Sequence, residues 1–152
     1  MSSQPSSPEL PADDAPVGDE VLLYRLIPTS WCTVVDGQWE FQSGAFDNAS
    51  VLHEGEHPDD MSVILSDTLA ALGRVPEDLP STVAWEAEDR LGVAVLRTSF
   101  VRDEEEQEIR RTPTPDERAH GDVRGKKGSR RRKRFKRHAE WVVRPTAPPN
   151  DG

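Results

Sequence analysis

Asp36-Gly37 sits between two short runs of β-favouring residues, Trp31 to Val35 and Gln38 to Gln42. A two-residue turn needs positive φ at its centre, which Gly and Asp tolerate, so this pair is a strong hairpin signal. The second run alternates polar and aromatic side chains, as a returning strand does. A β-hairpin over 31–42 follows. The other apolar stretches are equally short. Glu20 to Ile27 is apolar and partly alternating, and Pro28 stops it; Arg25 is its one internal charge. Met61 to Leu65, Leu91 to Val101, Glu108 to Thr112 and Ala119 to Val123 read as further strands. Ser66 is placed to cap a helix over about 67–72, with Asp67 at its positive end and Gly73 as its stop. Val75 to Pro80 reads as a turn or a single helical turn, and Thr82 to Asp89 as a short helix. Hairpins outnumber β-helix-β units, so the expected class is α+β: one small domain with a mostly antiparallel sheet.

Composition sets the limits of that domain. Hydrophobic residues are 34% of the chain, against about 45–50% in an average globular domain. The deficit is concentrated at the ends. Residues 1–18 are rich in Ser, Pro and Asp, and their few apolar side chains have no period. Such a segment buries too little to offset its ordering entropy, so 1–18 and 145–152 are predicted to be disordered tails around a domain at 19–144. Trp31, Trp39, Trp85 and Trp141 are expected at the core or its rim. No secretory signal or membrane-spanning run is visible, and Cys32 has no partner cysteine. A cytoplasmic protein with no membrane partner, cofactor or metal is expected.

The net charge of -9 conceals a division. Residues 1–120 hold 8 Lys/Arg and 25 Asp/Glu, so they carry -17, whereas 121–152 hold 11 and 3 and carry +8. Ten of the fourteen residues in 124–137 are basic and none is acidic. Ser129 is placed to cap a basic helix over about 129–141, docked through Phe135, Ala139, Val142 and Val143. The candidate nucleic-acid-binding residues are Lys126, Lys127, Arg130, Arg131, Arg132, Lys133, Arg134, Lys136 and Arg137, with Phe135 and Trp141 as base-stacking rings. Two other readings stand beside this one. The run can be a solvated helix face paired with the chain's own acidic body, or it can meet an acidic protein as an interaction module.

Several fragments form a recurring order: Leu23 to Ile27, Ser43 to Phe46, Met61-Ser-Val63, His120 to Lys127, and Ala139 to Val143. Their order and spacing resemble a group of small uncharacterised bacterial proteins. They share a Ser-x-Ala-Phe element, a Met-Ser-Val element, and a closing Gly-Lys-Lys with Ala-x-x-Trp. The resemblance implies a compact single-domain fold over about 23–143. Here Ser43-Gly44 stands where the group often has a Ser-Ser pair.

Three other patterns carry chemistry. His53 and His57 are four apart, but Gly55 and Pro58 place them in a loop, so no metal site is expected. Gly125-Lys126 lacks the earlier glycine of a phosphate loop, because position 120 is His. Arg25, then Ser43, then a Ser-Val strand resembles the order in ADP-ribosyltransferase-like enzymes. That resemblance implies Arg25 on dinucleotide phosphates, Ser43 on a ribose, and a catalytic glutamate at Glu86, Glu88 or Glu108. With His120 as acid or base, this is the alternative enzymatic expectation. It requires Arg25, Ser43 and His120 to share one cleft.

Overall fold

A computed structural model of the chain describes residues 10–48, 58–83 and 90–146. The elements run β1 (Leu22–Pro28), β2 (Cys32–Val35), β3 (Gln38–Phe41), β4 (Asp60–Leu65), α1 (Ser66–Ala71), β5 (Leu91–Arg97), β6 (Glu108–Arg111), β7 (His120–Arg124), α2 (Ser129–His138) and β8 (Glu140–Val143). Six strands form one sheet in the order β6-β7-β4-β1-β5-β8, antiparallel throughout, and β2 and β3 form a separate hairpin. The class is α+β, as the short runs required. Asp36 and Gly37 turn the hairpin at φ 51° and 79°, the double positive φ of a type I′ turn.

Register decides which side chains share a face. Leu23 lies opposite both Leu65 and Leu96, and Arg25 lies opposite Ala94. Directly paired residues point to one face, and successive residues alternate. The Leu23–Arg25–Ile27 face is covered by the hairpin, the tight turn Ser43–Phe46 and α2; Phe41, Phe46 and Phe135 pack there in one cluster. The Tyr24–Leu26 face holds Ile64 and Val93, and it is covered by Leu69 of α1 and Leu79. Burial of one such large side chain contributes about 1.5–3 kcal/mol.

Several boundaries differ from expectation. Residues 10–18 are not a free tail: Val17 is 3% exposed and joins the core. Arg111 donates to the carbonyls of Ala15 and Pro16, so the segment is bound along β6. At the other end Pro145 is buried, and the Thr146 carbonyl accepts from Trp39 Nε1 at 3.0 Å and Arg90 Nη1 at 3.1 Å. Ser66 caps nothing; its Oγ accepts the Leu22 N–H at 2.7 Å. Ser129 makes no cap either. Strand β5 ends at Arg97, short of the predicted Val101, because the chain turns helical there and closes in a π-turn over Phe100–Glu104; the Thr98 hydroxyl donates to the Val21 carbonyl at 2.6 Å. Helix α2 stops at His138, since Ala139 is already extended at ψ 145°. Val142 and Val143 therefore belong to β8, where the β-branched run fits a strand. Thr82 closes a 3-10 turn and Val83 is extended; the rest of the predicted 82–89 helix lies outside the described residues. So do His53, His57 and Trp85, whereas Trp31, Trp39 and Trp141 pack half-buried on the core. Among the described residues no helix is long and apolar enough to cross a membrane.

Candidate polyanion-binding groove

Ten-residue α2 has one apolar side chain fully inside, Phe135, which meets Phe46 at 6.3 Å and Phe100 at 5.8 Å between ring centroids. A helix anchored by one ring can roll about its axis, and ion pairs on either side of Phe135 oppose that. On one side Glu105, with a side chain 3% exposed, takes Arg131 Nε at 3.2 Å and Arg134 Nε at 2.7 Å. On the other, Asp47 takes Arg132 Nη1 at 3.1 Å. The Glu105 carboxylate holds the Arg134 guanidinium above its ordinary value. His138 closes the helix by stacking on Phe100 at 3.8 Å, and its Nε2 accepts the Arg97 N–H at 3.2 Å.

The basic run therefore divides. Lys127 belongs to the interior: it is 6% exposed. Its ammonium donates to Asn48 Oδ1 at 2.7 Å and to the carbonyls of Asp59, Val123 and Gly125 at 2.9, 3.0 and 2.8 Å. Burial, and after it the nearby Arg25 charge, push this amine down to about 8. Lys127 cannot reach a ligand, which corrects its place among the predicted contact residues. Arg131 is committed to the buried Glu105 carboxylate and Arg132 to the half-exposed one of Asp47. Lys126, Arg130, Lys133, Lys136 and Arg137 are exposed. Arg130, Lys133, Arg134, Lys136 and Arg137 line an open groove of about 450 Å³ with Ser43. Helical spacing puts 130, 133, 134 and 137 on neighbouring positions of one face, opposite Phe135. The turn at 43–46 brings Ser43 there because Ala45 and Phe46, just after it, are buried.

Ser43 thus has a place in the groove, but the other two enzymatic candidates do not join it. Arg25 is 1% exposed and its guanidinium is used internally. Nε donates to the Ala45 carbonyl at 2.8 Å, Nη1 to that of Ser62 at 2.9 Å, and Nη2 to that of Asp47 at 3.0 Å. The guanidinium also lies 5.2 Å from the Trp31 ring centroid. Burial lowers it to about 9. His120 is opposite Ile64, which is opposite Tyr24, so its ring is on the other face of the sheet from Arg25. Its Nδ1 meets Thr112 Oγ1 at 2.8 Å. No single cleft contains all three. Glu108 is on edge strand β6 beside Arg110, and Glu86 and Glu88 lie outside the described residues. Phe135 is fully buried and cannot stack on a base. Among the described residues no cluster of three His, Cys, Asp or Glu side chains could hold a metal ion.

Sequence reasoning missed Asp47 and Glu105, the two carboxylates that set the rotation of α2. Glu105 lies in the acidic stretch 103–106, where nothing local separates it from its neighbours. No protein-family model, curated protein or solved structure matches the chain.

Proposed function

We propose that the protein binds nucleic acid through the outward face of α2, as a binding protein rather than an enzyme. The observation that carries this reading is the groove itself: Arg130, Lys133, Arg134, Lys136 and Arg137 line it with Ser43, and among the described residues no carboxylate does. Cations in a row suit a backbone with regularly spaced phosphates, and the counterions those phosphates release favour association. Ser43 adds a hydroxyl that can donate to a phosphate oxygen. The acidic body opposes the same ligand at long range, so the binding is weak and strongly dependent on salt. Its carboxylates hold α2 from beneath at Glu105 and Asp47, which leaves the outer cations to solvent.

The test is a salt titration with a labelled oligonucleotide. Binding is expected at low salt, falling as salt rises. The triple variant Arg130→Ala, Lys133→Ala, Arg137→Ala should bind more weakly and with a shallower slope, by about 0.7 per lost contact on a single strand. It spares Arg131, Arg132 and Arg134, so the helix stays anchored. Wild type that fails to bind at low salt, or a triple variant with an unchanged slope, overturns the reading.

A further inference from the structure

The groove on α2 does not end with the helix. Lys136 lines it and also lines a second open groove, of about 620 Å³, between β3 and β8. The character changes across Lys136. The second groove is walled by Phe41, Ala139, Trp141 and Val142, and it carries Glu40 and Glu140. Arg144 holds the Glu40 carboxylate at 3.0 Å. We propose that the nucleic acid is single-stranded, with its backbone along α2 and at least one base turned into this second groove against Trp141.

The charge pattern selects that orientation. Phosphates are attracted along Arg130, Lys133 and Arg137, and they are repelled by the exposed carboxylate of Glu140. A base fits where a phosphate does not: it has a flat apolar ring and amino or imino N–H donors that a carboxylate accepts. The Trp141 ring is held in place for such a contact. It lies on Phe41 with centroids 4.1 Å apart and planes at 31°. Its edge sits over Gly92, where an added Cβ would come within 2.5 Å of Cζ3. A braced ring loses little freedom when a base settles on it, and base–aromatic stacking does not depend on sequence. Duplex bases are already paired and stacked, so a duplex has nothing to place in the second groove. An acidic protein segment would bring carboxylates against Glu40 and Glu140.

This inference rests on the nucleic-acid reading, and the experiment separates the two. Binding of a labelled single strand of about a dozen nucleotides, within the usual site size for such surfaces, is measured beside a blunt duplex and linear polyphosphate of matched charge. The single strand should bind about tenfold tighter than polyphosphate, the scale of one stacked base. Trp141→Ala should abolish that difference and leave polyphosphate binding unchanged, and Trp141→Phe should restore most of it. If Trp141→Ala does not fold, photocrosslinking of wild type to a 5-iodouridine strand decides, with Trp141 as the expected adduct. Equal binding of single strand and polyphosphate, tighter binding of the duplex, or crosslinks confined to α2 overturn the inference and leave the proposed function standing. Loss of binding to all three probes overturns both.

Discussion

Arg134 Nε donates to both oxygens of the buried Glu105 carboxylate, at 2.7 and 3.0 Å, while its own side chain remains 42% exposed. The arginine therefore works on two sides of α2, fixing the helix from within and lining the groove outside. Arg131 reaches the same carboxylate.

Removing the shared carboxylate should loosen the helix and release Arg134, while Arg130, Lys133, Lys136 and Arg137 are left untouched. Glu105→Gln is expected to cost about 2 kcal/mol of stability, below the roughly 3–5 kcal/mol of a fully buried broken pair, because both arginines can reach water. The denaturant midpoint reads this loss. Asp47→Asn, whose carboxylate is 47% exposed, should cost less than about 1 kcal/mol by the same measurement.

Arg25 invites a contrast between a catalytic arginine and a structural one. A lysine keeps the charge but cannot reach three carbonyls with a planar fork. Arg25→Lys is expected to cost about 2–4 kcal/mol through carbonyls left unpaired in the interior. Unchanged thermal stability in this variant would contradict the structural role.

Local chemistry made part of the fold legible. The Asp36-Gly37 turn needs only its own two residues to reverse the chain, and the runs at 20–27 and 61–65 carry their apolar pattern with them. Face and register were not legible. That Arg25 and His120 lie on opposite sides follows from pairing Tyr24 with Ile64 and Ile64 with His120, partners far apart in sequence. Charge alone made Lys127 look like its neighbours; the distant oxygens of Asn48 and Asp59, with the carbonyls of Val123 and Gly125 just before it, make it internal. The groove cations were legible because their spacing along α2 is itself local, whereas Ser43 joined them only through the packing of Phe46.

Lys127 should leave a signature at alkaline pH. Its amine ordinarily titrates at 10.5 and in the folded chain at about 8. Between those values the unfolded chain binds more protons at this site, so its contribution makes the fold more stable as pH rises through the window. Lys127→Met should remove that contribution while lowering stability overall, because four acceptors lose their donor. Denaturation series from pH 7.5 to 10.5 compare the two slopes; parallel slopes would refute the assignment.

His138 predicts a second window, on the acid side. Burial first, and then the Arg97 charge, hold its imidazole below the ordinary 6.5, while Glu104 and Glu140 oppose the shift. The neutral ring accepts the Arg97 N–H, and a protonated ring cannot. The stabilising effect is complete above 6.5 and is lost as pH falls through the lowered value. His138→Phe keeps a ring on Phe100 and should flatten this acid limb. Chemical-shift titration of the ring protons gives the same midpoint directly.

The strand order also bears on how quickly the chain can acquire its shape. Translation delivers β1 before β4 and β5, yet it occupies the space between them. Apart from the β2–β3 hairpin and the β6–β7 pair, each ladder closes a long loop, and loop closure must precede the contacts that reward it. Refolding is therefore expected on the millisecond-to-second scale of high-contact-order proteins. In the interval a nascent chain would present its cationic segment without Glu105 or Asp47 to orient it.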